Sequence, residues 1–130
     1  MSIPDMQEYS LVYSENTPAY ALAERLGGMN KAYQLFGRYG KVSGAIPTID
    51  RNDNKTTTAY YVQVLDYLWR HQDKYKDILY YIGESFPGLY YKTYLPHVKV
   101  YQKPGYVREA LNVGAIVCEE SPLSLIHIWR

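Results

Sequence analysis

Residues 97–118 read HVKVYQKPGYVREALNVGAIVC, which is the pattern of two neighbouring β-strands. Apolar side chains occupy alternate positions in residues 97–103 and again in residues 111–118. Alternation with a period of two is typical of a strand that buries one face. The stretch therefore predicts an antiparallel hairpin whose strands are joined by a wide connection through Gly105.

The second strand gives a definite prediction of which side chains are buried. One alternating set, which includes Leu111 and Val113, is predicted to face the core, and the other set, which includes Ile116, is predicted to face away. Two strands form a poor sheet on their own. The sequence therefore also predicts an incomplete sheet, whose partner strands are missing from these residues.

Helical periodicity dominates the chain before the hairpin. Apolar side chains recur at i, i+3, i+4 and i+7 from Ala19 to Leu26 and from Met29 to Phe36, the spacing of one buried helical face. Helices followed by a β pair are an α+β pattern. The first three predicted helices cover residues 5–13 after a Ser2–Asp5 capping box, residues 18–26 after a Thr17 cap, and a segment that starts at Met29 and ends near Gly37 or Gly40. Two more follow a loop at 40–56: one opened by Thr56, Thr57 or Thr58, and one at residues 74–83.

Composition limits the classes of protein. The chain has 130 residues, 47% of them hydrophobic, which is enough for one domain. Lys and Arg number 14 against 13 Asp and Glu, so no basic excess is available for binding nucleic acid. One cysteine, Cys118, excludes an internal disulfide, and the histidines lack metal-ligand spacing, so we expect no metal and no cofactor. The sequence has no apolar run of about 20 residues and no visible signal peptide.

The last residues, 123–130, read LSLIHIWR and have two interpretations. Leu123 to Ile128 resembles the translation of a transposon-end adapter used in sequencing libraries, which would exclude this tail from fold reasoning. The alternative is a natural edge strand, since the residues are apolar and compatible with β structure. On the first interpretation, residues 1–122 form the domain and residues 123–130 are a non-native tail.

Two short motifs are candidates for chemistry. Ser14-Glu15-Asn16 lies between the first two predicted helices, and Lys103-Pro104-Gly105 lies at the end of a predicted strand. Taken alone, a Ser-acid-Asn triplet is most often a helix cap. A lysine on a strand is most often an edge charge that opposes aggregation. The order and context of the two motifs favour a functional interpretation.

Together the motifs resemble a class A β-lactamase-like serine hydrolase of the penicillin-recognising superfamily. That family carries Ser-x-x-Lys, Ser-Asp-Asn and Lys-Thr-Gly signatures, and the two motifs resemble the second and third. Gly44 to Pro47, followed by the helix that Thr56 to Thr58 opens, resembles the family's omega loop and the next helix. The resemblance covers residues 5–122 and implies a partial β-lactamase/transpeptidase-like fold with an incomplete sheet.

The resemblance implies a role in acyl transfer for each matching residue. Ser14 relays a proton towards the leaving nitrogen, and Lys103 polarises Ser14 and supplies positive charge for the substrate carboxylate. Asn16 hydrogen-bonds the substrate amide. Gly105 lets the strand pass close to the ligand, and the backbone N–H of Tyr106 is an oxyanion donor.

The sequence also departs from the family pattern. It contains no Ser-x-x-Lys, so the seryl nucleophile is expected upstream. Glu15 replaces the Asp that fixes the loop by hydrogen bonds, and Pro104 replaces a Thr whose hydroxyl binds the substrate carboxylate. No Asp or Glu occurs in residues 25–49, where the deacylating glutamate of the family lies, and Tyr39 and Ser43 stand near its place. Without that carboxylate a hydrolytic water has no base.

These observations predict a fragment of a bacterial serine hydrolase that acts on cell-wall peptides or β-lactam-like amides, inactive as given. By resemblance we expect a monomeric parent, located outside the cell or at the cell surface. Two alternatives stay open: a non-catalytic cell-wall peptide-binding or scaffold domain of the same fold, and a self-standing α+β interaction module. The last predicts cooperative unfolding of the isolated chain, whereas a fragment is expected to expose apolar faces and aggregate.

Overall fold

The computed structural model of the chain describes residues 1–41, 49–50, 55–118 and 124–129, with side chains in residues 1–41 and 56–118. The helices are α1 (Ile3–Leu11), α2 (Asn16–Arg25), α3 (Met29–Leu35), α4 (Thr58–Arg70), α5 (Lys76–Glu84) and α6 (Tyr91–Tyr94), with a 3₁₀ turn at Phe36–Arg38. The strands are β1 (Ile49–Asp50), β2 (Lys55–Thr56), β3 (Lys99–Val107), β4 (Ala110–Cys118) and β5 (Ser124–Trp129). Helices precede the main sheet, which confirms the predicted α+β class.

The capping box predicted at the start of α1 is confirmed. The Ser2 backbone N–H donates to Asp5 Oδ2 at 2.8 Å, and the Asp5 N–H donates to Ser2 Oγ at 3.2 Å. These bonds satisfy donors that a helix start leaves open. The bond from the Ser2 backbone, followed by the one with its side chain, lowers the pKa of Asp5.

The start of α2 corrects the sequence prediction. Thr17 is the expected cap, but the N-cap is Glu15 and the helix starts at Asn16. The Glu15 N–H donates to the carbonyl of Tyr9 at 3.0 Å. This bond joins the end of α1 to the residue just before α2. It fixes the backbone at Glu15, two residues before Thr17, and the helix begins there.

The start of α4 lies in the threonine cluster that the sequence identifies. Thr57 is the N-cap, and its Oγ1 accepts from the Tyr60 N–H at 3.1 Å. Thr58 is the first helical residue, and its side chain is exposed. Leu65 of the same helix belongs to the main core cluster, so the helix start is coupled to the core.

Replacing Thr57 by alanine is therefore expected to lower the free energy of unfolding by about 1 kcal/mol, because one backbone donor of α4 loses its partner. The matched control is Thr58→Ala, which removes an exposed side chain next in sequence and is expected to change stability by less than about 0.5 kcal/mol. Urea denaturation followed by circular dichroism measures both. Equal losses in the two variants would contradict the capping role.

The hairpin of β3 and β4 is tighter than the sequence predicts. Val107 pairs with Ala110, so only Arg108 and Glu109 form the turn. Arg108 has a φ of 55°, and a two-residue hairpin turn needs a positive φ at its first central position. Gly105 lies within the ladder and is not part of the connection, which corrects that prediction. The turn was missed because neither of its residues is the Gly or Asn that favours a positive φ.

β4 is buried on both faces, which corrects the prediction that Ile116 faces away from the core. Ile116 is fully buried and packs with Leu65 of α4 and with two side chains of α5. Ala115 and Val117, on the opposite face, form a second cluster with Val100 of β3. Tyr91 of α6, a helix that the sequence does not predict, covers this second cluster together with Leu95 and Val98. An alternating pattern marks a strand with one covered face, and β4 has two.

Two further strand pairs complete the sheets of the described residues. β1 and β2 pair within the predicted 40–56 loop, and β5 pairs antiparallel with β4, which gives the sheet order β3-β4-β5. The origin of residues 123–130 stays a prediction, because backbone pairing does not depend on where a segment comes from. No helix in the part of the chain that the structure describes has the length and apolar character needed to cross a membrane.

Candidate functional site

Ser14 lies in the short connection between α1 and α2, where the backbone is strained. Its φ is 60°, in the left-handed region that costs a residue with a Cβ about 1–2 kcal/mol. The bond from the Glu15 N–H to the Tyr9 carbonyl, 3.0 Å long, closes the connection around it. Strain of this kind is held by surrounding structure and clusters at functional sites.

Lys103 on β3 reaches Ser14, although the two residues are separated by 89 positions. The Lys103 Nζ donates to Ser14 Oγ at 2.7 Å and to the carbonyl of its neighbour Pro104 at 2.9 Å. The two motifs that the sequence analysis singled out are therefore brought into direct contact. Since Ser14 Oγ accepts from Lys103, the hydroxyl hydrogen of Ser14 is free to be donated to a third group.

Burial lowers the pKa of Lys103, because a charged amine loses water in this position. Unfolding restores the ordinary lysine pKa, so the folded chain binds fewer protons in the interval between the two values. The stability of the fold consequently rises with pH across that interval. A lowered pKa also makes the neutral amine, which can accept a proton, accessible nearer to neutral pH.

The geometry of β3 explains why a proline is tolerated at position 104. Val107 pairs with Ala110 across the turn, and Pro104 pairs with Val113. In an antiparallel pair, successive residues alternate between bonding the partner strand and pointing away from it. Counted back from the turn, Pro104 and Tyr106 point their backbone groups away from β4. Pro104 therefore costs the sheet no hydrogen bond, and the Tyr106 N–H faces the outer edge of β3.

The other predicted site residues are neighbours of this pair in sequence: Glu15 and Asn16 follow Ser14, and Gly105 and Tyr106 follow Lys103. Asn16 is exposed on the first turn of α2, two residues after Ser14. Glu15 closes the connection through its backbone N–H, whereas its carboxylate makes no capping bond. Gly105 is exposed, and a Cβ added there would meet no atom within 4 Å. The space beside Gly105 is thus open among the described residues, and the close approach of a ligand to this glycine stays a prediction.

The segment that resembles the omega loop is described only in part. Tyr39, which stands near the expected glutamate, packs its ring against Tyr67 of α4 with centroids 5.3 Å apart. Ser43 and the stretch from Gly44 to Pro47 lie outside the described residues. Where side chains are described, no group of three His, Cys, Asp or Glu residues is arranged to hold a metal ion.

Sequence reasoning missed one residue that contacts Lys103 and one residue that supports it from the other face of β3. Phe86 lies under Lys103, with its ring centroid 5.8 Å from Nζ. Gln102 precedes Lys103 and is completely buried. The sequence Phe86-Pro87-Gly88 indicates only a turn. Gln102 lies two residues after Val100 and so falls on the apolar face of the alternating strand, but its polarity gives no sign of a role in the site. Neither pattern contains a signal for the contact between the Phe86 ring and Lys103.

No protein-family model matches the chain. No curated protein matches it either. The function is therefore inferred from the Ser14–Lys103 contact and the residues around it.

Proposed function

We propose that the chain is part of a serine hydrolase of the β-lactamase/D-alanyl-D-alanine peptidase type, with a partial fold of that family and an incomplete sheet. The substrate is a cell-wall peptide or a β-lactam-like amide. The observation that carries this proposal is the hydrogen bond of 2.7 Å between Lys103 Nζ and Ser14 Oγ. In this family the residues in the corresponding motifs face the same substrate, and here segments far apart in sequence meet through the residues that the resemblance identifies.

In the proposed reaction, a seryl oxygen contributed from outside these residues attacks the amide carbonyl, and the C–N bond then breaks. The attacking seryl hydroxyl gives its proton to a base that, like the nucleophile, is contributed from outside these residues. The leaving nitrogen takes the Ser14 hydroxyl proton, and Ser14 regains a proton from that base. Lys103 supports this transfer by donating to Ser14 Oγ and by attracting the substrate carboxylate. The outward-facing N–H of Tyr106 stabilises the charge that develops on the carbonyl oxygen, and Asn16 binds the substrate amide.

The proposed enzyme releases its acyl group slowly. Pro104 supplies no hydroxyl for the substrate carboxylate, and residues 25–49 contain no Asp or Glu to activate a hydrolytic water. A peptidase-like or acyl-enzyme-forming homologue fits these departures better than an efficient β-lactamase. The proposal includes a monomeric parent, located outside the cell or at the cell surface of a bacterium.

The complete gene product that carries these residues is expected to form a covalent adduct with a fluorescent penicillin. The adduct is detected as a fluorescent band after denaturing electrophoresis, and preincubation with excess unlabelled penicillin is expected to prevent the labelling. Heat-denatured protein serves as the control for non-specific labelling. A folded gene product that contains Ser-x-x-Lys and forms no adduct would count against the enzyme.

The second candidate is a non-catalytic cell-wall peptide-binding domain of the same fold. A specific observation favours it: a cleft of about 310 Å³ beside Tyr13, lined by two carboxylates and three tyrosines. Tyr13 and Tyr80 are 58% and 63% exposed, so these rings are available to a ligand and are not core residues. Binding of a cell-wall peptide by a gene product that forms no penicillin adduct would support this candidate. The two carboxylates of this cleft are Glu8 and Glu84, and its three tyrosines are Tyr13, Tyr80 and Tyr81.

A further inference from the structure

The segment between α5 and α6 is strained at two aromatic residues. Phe86 has a φ of 46° and Tyr90 a φ of 55°, and both residues carry a Cβ that disfavours this region. Their rings contact each other edge to face, with centroids 5.7 Å apart. Such a conformation persists only where the surrounding structure holds it.

Gln102 of β3 holds this segment from below. Its Nε2 donates to the carbonyl of Phe86 at 3.3 Å and to the carbonyl of Leu89 at 3.0 Å. Gln102 is fully buried, and its Oε1 has no hydrogen-bond partner among the described residues, so its amide interacts with this segment through Nε2. Lys92 secures the residues just before Phe86 by donating to the carbonyls of Gly83 and Ser85, both at 2.6 Å.

The residue that fixes Phe86 is next in sequence to the lysine of the site. Gln102 and Lys103 are consecutive on β3 and point to opposite faces, yet both contact the segment that contains Phe86. The Phe86 ring centroid lies 5.8 Å from Lys103 Nζ, within the range in which an ammonium group is attracted to an aromatic face. The same strand therefore presents the amine and fixes the ring beside it.

We propose that Phe86 is a positioning residue of the site: its ring, held in place by Gln102, is the platform on which the Lys103 ammonium group rests while it donates to Ser14. The apolar ring keeps water from one side of the amine, and its electron-rich face attracts the charge. Two opposing effects thus act on Lys103, desolvation against the ammonium form and the ring face in its favour. The inference rests on the proposed function, because positioning has a purpose only if Ser14 and Lys103 form the reacting pair.

Replacing Phe86 by leucine tests the platform, because leucine keeps the apolar bulk and removes the ring face. The pKa of Lys103 is expected to fall by about half a unit to one unit. It is measured in the complete gene product by trace acetylation across the alkaline range, with the modification at Lys103 quantified by peptide mass spectrometry. Phe86→Tyr keeps the ring and is expected to leave the pKa of Lys103 at the wild-type value.

The matched control is Phe36→Leu, the same replacement in the 3₁₀ turn after α3, which is expected to leave Lys103 unchanged. An unchanged pKa in Phe86→Leu, or the same fall in Phe86→Tyr, would overturn the proposal even if the thermal midpoint dropped. Phe86→Met replaces the leucine variant if that variant does not fold. Absence of a penicillin adduct would reject the proposed function without altering the acetylation result, so the two failures are distinguishable.

Discussion

Replacing Ser14 by alanine is expected to slow the acylation of the complete gene product by about 10²–10⁴-fold, the usual contribution of a positioned proton donor. Ser14 Oγ accepts from Lys103 Nζ at 2.7 Å, so its own hydrogen is directed to another group. Alanine removes this donor and leaves the leaving nitrogen without a proton. The measurement is the rate at which fluorescent penicillin labels the protein.

The matched control is Ser10→Ala, which removes a serine of α1 whose Oγ donates to the carbonyl of Met6 at 2.6 Å. Its acylation rate is expected to stay within about twofold of wild type, since it lies outside the site. Lys103→Met is expected to slow acylation to a similar extent as Ser14→Ala. Because residues that act as one unit are strongly non-additive, the double variant is expected to be little slower than either single variant. If fluorescent penicillin labels the Ser14→Ala variant at the wild-type rate, the role of Ser14 is purely structural, next to the Glu15 cap of α2.

Features set by neighbouring residues could be predicted from the sequence. The Ser2–Asp5 capping box and the Thr57 cap depend on side chains three residues from their partners, and both are confirmed. The start of α2 was misplaced because a bond from Glu15 back to Tyr9 determines it. The four-residue helix α6 has too short a pattern to be recognised from periodicity.

The candidate site likewise contains residues that the sequence could identify and residues that it could not. Ser14 and Lys103 belong to short motifs that occur in the same order along the chain as in the family that the sequence resembles, so they could be identified from the sequence. The two side chains are in contact in the structure. Phe86 contributes through its ring and Gln102 through bonds to distant carbonyls. Gln102 shares the alternating face of Val98 and Val100, so the pattern places it inward. The pattern does not identify the Phe86 and Leu89 carbonyls that accept from its amide.

The largest effect on stability is expected at Ile116, where sequence pattern and structure disagree. Ile116→Ala is expected to lower the free energy of unfolding by about 3–5 kcal/mol, because the side chain is fully buried between α4 and α5 and its loss leaves a cavity. The alternating pattern places this residue on the outer face, which would make its replacement nearly neutral. Urea denaturation of the complete gene product, followed by circular dichroism, measures the change.

Leu111→Ala is the matched control, since leucine and isoleucine are isomers and both replacements remove the same atoms from β4. The pattern assigns Leu111 to the core, but the residue is only half-buried near the hairpin turn, so a loss of about 1 kcal/mol is expected. Equal denaturant slopes in the variants and the wild type are required for the comparison. A larger loss for Leu111→Ala than for Ile116→Ala would mean that β4 buries the face given by its alternation, and that α4 and α5 do not pack on Ile116.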